Sequence, residues 1–72
     1  MEIEDHIEID PQKRSGKPCI RGSRITVYDI FDLLASGQSV DEILEDFPQL
    51  KIDDITACFK FAADRERRLL SA

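Results

Sequence analysis

The chain has 72 residues and a formal net charge of −5 at pH 7, with 42% hydrophobic and 35% charged residues. This length allows one small domain, whose core a second copy or a partner would help to complete. The acidic balance argues against a general nucleic-acid-coating protein and favours a basic or protein partner. The acidic N-terminus and the lack of a long apolar run predict a cytoplasmic protein.

The first 25 residues are expected to form a basic arm of turns and short strands. Ile7, Glu8 and Ile9 alternate in polarity and predict a short strand, which Asp10-Pro11 ends with a turn. Two more short strands are expected at residues 19–20 and 24–25, on either side of an Arg-Gly turn. Between residues 11 and 24 the chain has no acid and five cations, which are Lys13, Arg14, Lys17, Arg21 and Arg24.

Residues 26–72 are expected to form a three-helix bundle of the helix-turn-helix type, so the predicted fold class is mainly α with a short N-terminal β-element. Thr26 with Asp29, and Ser39 with Glu42, have the spacing of capping boxes. In a capping box a hydroxyl oxygen and a carboxylate accept hydrogen bonds from free N–H groups at the start of a helix. Two helix starts are therefore predicted with a physical cause.

All three predicted helices have an apolar stripe, and the first two also have a residue that predicts where the helix ends. Gly37 predicts a left-handed cap after the first helix, and Pro48 ends the second, because proline disfavours helical geometry in the preceding residue. The third helix is expected to reach Leu69 and Leu70. The predicted stripes are Val27, Ile30, Phe31 and Leu34, then Val40, Ile43, Leu44 and Phe47, then Ile52, Ile55, Phe59 and Ala62.

Ordered strings along the chain resemble the prokaryotic family catalogued as domain of unknown function 433. They are Gly16-Lys17-Pro18, Gly22-Ser23-Arg24-Ile25, Gly37-Gln38-Ser39 with Glu42-Ile43, and Pro48-Gln49-Leu50. The resemblance implies a homeodomain-like three-helix fold and an antitoxin similar to VapB antitoxins, paired with a PIN-like ribonuclease toxin. One departure is Lys51, where the family pattern leads us to expect a Ser or Thr cap.

The residues do not match a catalytic or metal-binding constellation. His6 is the only histidine, and we expect it to be solvated. Adjacent Asp53 and Asp54 point in different directions on a helix, so they are expected to complement its positive N-terminus. Cys19 and Cys58 lack metal-ligand spacing and are expected to be reduced thiols. We therefore expect neither enzyme activity nor a cofactor.

Binding to DNA would depend on the basic arm more than on the third helix. The expected outer face of that helix has two acids and no Arg, Asn or Gln to read bases. It consists of Asp53, Thr56, Ala57, Lys60 and Asp64. The candidate DNA-binding residues are the five arm cations with Thr56 and Lys60, chiefly through phosphates. Alternatively, the cations form a solvated face, and Arg24 pairs with Asp29 or Asp32.

The C-terminal part of the third helix is the candidate partner-binding surface. Phe61 lies off the predicted stripe, so it either anchors an interface or packs beneath the N-terminal strand. Arg65, Arg67 and Arg68 could pair with carboxylates of a PIN-like nuclease, or could complement the C-terminus of their own helix. The candidate partner-binding residues are Phe61, Arg65, Arg67, Arg68, Leu69 and Leu70.

The leading hypothesis, which depends on the resemblance, is an antitoxin that neutralises a PIN-like ribonuclease and regulates its own promoter as a homodimer. A stand-alone DNA-binding transcriptional regulator is the first alternative, and a small protein-interaction module is the second. Salt dependence separates them, because phosphate contacts weaken steeply with salt. An interface that depends on Phe61, Leu69 and Leu70 should resist salt.

Overall fold

Three helices and a two-stranded antiparallel sheet make up the computed structural model, which describes residues 2–71. Helix α1 spans Val27–Ala35, α2 spans Val40–Asp46 and α3 spans Ile52–Ser71. Strand β1, Ile7–Glu8, pairs with β2, Cys19–Ile20, and 3-10 turns at Ile3–Asp5 and Arg14–Gly16 precede and follow β1. The predicted fold class is confirmed.

Both predicted capping boxes are present. The Thr26 hydroxyl accepts from the Asp29 N–H at 2.9 Å, and the Asp29 carboxylate accepts from the Thr26 N–H at 2.9 Å. Ser39 and Glu42 make the same two bonds at 3.1 and 2.9 Å. These bonds satisfy donors that a helix start leaves without an intrahelical partner.

The two predicted helix ends are also confirmed. Gly37 follows α1 with a φ of 104°, which glycine adopts without a side-chain clash. Helix α2 ends at Asp46, and Phe47 is no longer helical, with φ −124° and ψ 77°. Phe47 precedes Pro48, whose ring disfavours the helical conformation there.

The N-terminal segment packs on the bundle through its sheet. Ile7 lies opposite Ile20, and Glu8 lies opposite Cys19. Ile7, Cys19 and Ile20 are buried, so the basic arm contributes to the core. Of the predicted pairing of residues 19–20 with 24–25, the structure retains an isolated antiparallel bridge between Cys19 and Thr26 and a bond from the Ile20 N–H to the Ile25 carbonyl at 2.8 Å. The strand partner of β2 is β1.

One buried cluster joins the sheet, the three helices and the loop before α3. Val27 and Ile30 of α1 and Ile43 of α2 are its helical members from the predicted stripes. The remaining stripe residues of these two helices pack against the cluster while partly exposed. The cluster consists of Ile7, Ile20, Val27, Ile30, Ile43, Leu50, Ile55, Ala57 and Cys58.

The buried face of α3 differs from the predicted stripe. Ile52 and Phe59 were expected in the core, but they are 56% and 49% exposed. Ile55 is buried as predicted, together with Ala57 and Cys58, which are fully buried. The buried face therefore combines Ile55 with two small side chains, and small side chains allow close packing against neighbouring elements.

Helix α3 begins with a substitute for the Ser or Thr cap. The Asp54 carboxylate accepts from the Lys51 N–H at 2.9 Å, and the Asp54 N–H donates to the Lys51 carbonyl at 2.9 Å. The other Asp54 oxygen lies 2.9 Å from Nδ1 of His6. The expectation that His6 is solvated is therefore wrong, because its ring fastens the N-terminal segment to the start of α3.

Candidate functional site

Lys13, Arg14 and Arg21 of the basic arm are bound to acceptors within the fold. Lys13 pairs with Glu8, and Arg21 lies 3.4 Å from the other Glu8 oxygen. Arg21 also donates twice to the Glu4 carbonyl, at 2.6 and 3.1 Å. The hydrogen bond from Lys13 lowers the pKa of Glu8 below its ordinary value. Much of the charge of the arm therefore serves to hold the N-terminal segment in place.

Arg14 connects the basic arm to the start of α1. Its Nη1 donates to the Arg24 carbonyl at 2.7 Å and to the Asp29 carboxylate at 3.1 Å. Arg14 and Ser15 have φ values of 50° and 60°, and Gly16 follows at 79°. This left-handed geometry is unusual for residues other than glycine, so the contacts of Arg14 stabilise a strained turn.

Arg24 and Lys17 are the arm cations that remain available to an external ligand. The predicted pairing of Arg24 with Asp29 or Asp32 is wrong, because Arg14 pairs with Asp29 and the Arg24 side chain contacts neither carboxylate. Within residues 2–71 the side chains of Arg24 and Lys17 make no hydrogen bond or ion pair, and both residues are exposed. Arg24 borders a hollow of about 510 Å³ that Arg14 also lines.

The outer side of α3 is more apolar than predicted. Thr56 and Lys60, the candidate DNA-binding residues of this helix, are exposed. The expected exposure of Ala57 is wrong, since it is fully buried. Ile52 and Phe59 are exposed instead. This side therefore offers little for reading bases, which requires polar side chains at the groove.

The last two turns of α3 form an exposed surface. Residues 65–70 are all exposed, with Leu69 at 66% and Leu70 at 80%. Arg65 donates to the hydroxyl of Tyr28 at 2.8 Å, a contact between α3 and α1. We name this surface the C-terminal patch, and it consists of Arg65, Arg67, Arg68, Leu69 and Leu70.

A groove of about 910 Å³ lies between the N-terminal segment and α3. Ile3, Ile7, Ile9 and Phe61 line it, and Arg68 of the C-terminal patch also borders it. Phe61 is partly buried and packs against the core. Of the two roles expected for Phe61, packing beside the N-terminal segment is the one observed, so Phe61 is not part of the patch.

The two cysteines are free and buried. Burial, together with the nearby charge of Asp54, raises the pKa of the Cys58 thiol to about 12. A thiol in this state is a poor nucleophile, because the thiolate is the reactive form. Among residues 2–71 no cluster of histidine, cysteine and acidic side chains could hold a metal ion. The same residues include no helix that could span a membrane.

Together, these elements make up a small three-helix protein with an N-terminal two-stranded sheet. The chain belongs to the family described as "Protein of unknown function (DUF433)", which matches residues 7–62. This match confirms the family resemblance that the sequence motifs indicated. The match includes the sheet, α1, α2 and the first half of α3, and it stops before the C-terminal patch.

Two similar proteins extend the comparison. The uncharacterized protein y4eO of Sinorhizobium fredii (strain NBRC 101917 / NGR234) is 40% identical over 45 residues, which are 62% of this chain and 20% of that protein. A crystal structure of a DUF433 member from Anabaena variabilis ATCC 29413 has a TM-score of 0.82 at 24% identity. The likeness covers 92% of this chain and 65% of that one, and it shows the shared fold. This chain therefore spans only part of the length of both.

Three contacts that position the basic arm and α3 could not be predicted from the sequence. They join Arg14 to Asp29, Tyr28 to Arg65 and His6 to Asp54, over 15, 37 and 48 positions. Motif spacing reports which residues share a face of one element. It carries no information about which faces of two elements meet.

Proposed function

We propose that this protein binds and neutralises a PIN-like ribonuclease through the C-terminal patch, in the manner of a VapB-like antitoxin. The observation that carries the proposal is the exposure of Leu69 and Leu70 beside three arginines at one end of α3. Contiguous exposed apolar side chains favour a protein partner. The proposal assigns inhibition, and no catalysis, to this chain.

The arginines suit the chemistry of such a partner. A PIN-like nuclease works with carboxylates around a divalent metal, and the metal stabilises charge and activates water for hydrolysis. A guanidinium group pairs bidentately with carboxylates and carries a fixed charge. Arg68 borders the groove and precedes Leu69. A nuclease surface that covers Leu69 would lie next to Arg68, and this guanidinium group would then pair with its carboxylates.

The test is inhibition of a purified PIN-like nuclease from the same genome, with a fluorescent single-stranded RNA as substrate. Arg68→Glu and Leu69→Asp are each expected to weaken inhibition by about tenfold or more, as for central residues of an interface. Lys17→Glu reverses an exposed charge away from α3 and should inhibit like the wild type. Full inhibition by both α3 variants would exclude the patch, and no inhibition by the wild type would exclude the antitoxin function.

Promoter binding as a dimer is a second proposed function, which the availability of Lys17 and Arg24 favours. Two phosphate contacts per chain make four per dimer, so log K should fall against log salt with a slope of about −3.6. Fluorescence anisotropy with promoter DNA, at several salt concentrations, measures this slope. The combined Lys17→Glu and Arg24→Glu variant should lose DNA and keep nuclease inhibition. DNA binding without nuclease inhibition in the wild type would indicate a stand-alone regulator.

A further inference from the structure

The outer side of α3 carries a second apolar stripe, opposite the one in the core. Ile52, Phe59 and Leu70 are 56%, 49% and 80% exposed, and Phe59 is supported by the ring of Phe31 at 5.6 Å between centroids. The exposed residues of this side recur at alternating steps of four and three, the spacing of a coiled-coil seam. The outer stripe consists of Ile52, Thr56, Phe59, Ala63, Glu66 and Leu70.

The order of the outer stripe is symmetric about position 61. If a second α3 lies antiparallel with position 61 opposite itself, each member of the stripe meets another member. The resulting pairs are Ile52 with Leu70, Thr56 with Glu66, and Phe59 with Ala63. Apolar side chains then meet each other, and a ring meets a small side chain. The Thr56 hydroxyl, which donates to the Ile52 carbonyl at 3.1 Å, lies beside Glu66. A twofold interface requires one surface that is complementary to its own copy, and the outer stripe meets this condition when the two helices are antiparallel.

Charge along α3 favours the same orientation. Asp53 lies in the first turn, whereas Arg67 lies near the end on the same side of the helix. An antiparallel pair places Asp53 of one copy near Arg67 of the other, and it also opposes the two helix dipoles. Arg67 is paired with Asp64 in its own chain, but its side chain is 70% exposed and can serve both carboxylates. Lys60 falls near the twofold axis, at the solvated rim.

We propose that two copies of this chain pair through their α3 helices, antiparallel, along the outer stripe. A helix of 20 residues is about 30 Å long. A standard interface buries about 800 Å² per partner, which is roughly a sixth of the 4924 Å² surface of this chain.

Leu69 and Arg68 lie about 100° and 200° around the helix from Leu70. They remain accessible to a nuclease, whereas the second copy covers Leu70 and engages Arg67 of the C-terminal patch. The paired form would therefore contact the nuclease through Arg65, Arg68 and Leu69, so this pairing goes beyond nuclease binding and does not depend on it.

Sedimentation equilibrium of the 72-residue chain tests the pairing. The wild type should show a species of twice its 8.2 kDa mass. Ala63→Lys introduces a charge opposite Phe59 and should weaken dimerisation at least about tenfold. Ala35→Lys, at an exposed alanine of α1, is the matched control and should dimerise like the wild type. A wild-type monomer at concentrations up to about 1 mM, or equal effects of both variants, would overturn the proposal.

Cross-linking tests the orientation. Ile52→Cys and Leu70→Cys together should give interchain disulfides after oxidation with copper phenanthroline, seen as a dimer on a non-reducing gel. Within one chain these positions are about 27 Å apart along the helix, too far for a bond. Cys19 and Cys58 are buried and should not contribute. A dimer from Ile52→Cys alone would indicate parallel helices, and no dimer from the double variant would exclude the pairing.

Failure of the pairing and failure of the antitoxin function are distinguishable. The Ala63→Lys chain should be largely monomeric and should still inhibit the nuclease, because Arg68 and Leu69 are unchanged. Loss of inhibition in this variant, with its helix content preserved in circular dichroism, would show that the outer stripe itself contacts the nuclease. That result would overturn the proposal that the outer stripe binds a second copy of this chain.

Discussion

Thr26 combines burial with a capping hydrogen bond, since it is 1% exposed and its hydroxyl accepts from Asp29. We expect Thr26→Ala to lower the free energy of unfolding by about 1–2 kcal/mol, because the first turn of α1 loses an acceptor. Urea denaturation at neutral pH measures the change. Glu45→Ala on the exposed side of α2 is the control and should stay within about 0.5 kcal/mol. Similar losses from both would contradict the importance of the cap.

Cys58 gives a second prediction for a single side chain. With its pKa raised to about 12, the thiol should resist iodoacetamide at pH 8 in the folded protein, because almost no thiolate is present. Modification should appear at the rate of global unfolding and accelerate in urea. Mass spectrometry of the Cys58 peptide follows the reaction. Rapid modification without denaturant would show that the start of α3 opens locally.

Asp54 makes two contacts that hold the start of α3 in place. Asp54→Ala should destabilise the fold by about 1–2 kcal/mol, because it removes the acceptor of the Lys51 N–H and the partner of His6. Asp41→Ala removes an exposed acid from the first turn of α2, and should cost no more than about 0.5 kcal/mol. Thermal unfolding of both variants measures the difference. If the two melted together, general helix-dipole compensation would explain both acids.

The helices could be predicted from the sequence because their starts and ends depend on near neighbours. Thr26 meets Asp29, and Ser39 meets Glu42, within a single turn, so spacing alone is sufficient. The orientation of α3 could not be predicted in this way. It is fixed by how closely small residues such as Ala57 pack against other elements, and hydrophobic spacing does not report that distance.

The same limit applies to the candidate surfaces. The C-terminal patch could be predicted, because continuation of the helix beyond its buried part exposes Leu69 and Leu70 whatever the tertiary arrangement. The basic arm could not, because five cations offer many pairings with acids. Only the folded chain selects Arg14 over Arg24 as the partner of Asp29. Composition therefore predicted a basic arm, whose charge the fold partly compensates.

Acid sensitivity is a property of the whole molecule. Hydrogen bonds lower the pKa of Glu8 and of Glu42, and bonds from Thr26 and Arg14 lower that of Asp29 although its burial acts in the opposite direction. The folded state therefore releases these protons more readily than the unfolded state. Their contribution to stability is complete above the ordinary values of 3.8 and 4.5 and is lost as pH falls through the lower folded values.

The urea midpoint should accordingly be nearly constant from pH 7 to about 5.5 and should fall progressively below about pH 4. Asp29→Asn should lower the midpoint at neutral pH and make the dependence on acid shallower. Unfolding curves followed by circular dichroism at pH 7, 5 and 3 provide the measurement. A midpoint that rises on acidification would contradict the lowered pKa values.

The bond between His6 and Asp54 affects the order in which the segments of the chain fold during translation. Its two residues are 48 positions apart, so β1 cannot be fixed to α3 until a ribosome has added the 48 residues that follow His6. Until then β1 has its partner strand but lacks α3, the helix that it contacts in the folded protein, and a two-stranded sheet alone is barely stable in water. The N-terminal segment, although synthesised first, should be among the last to become protected from proteases during translation.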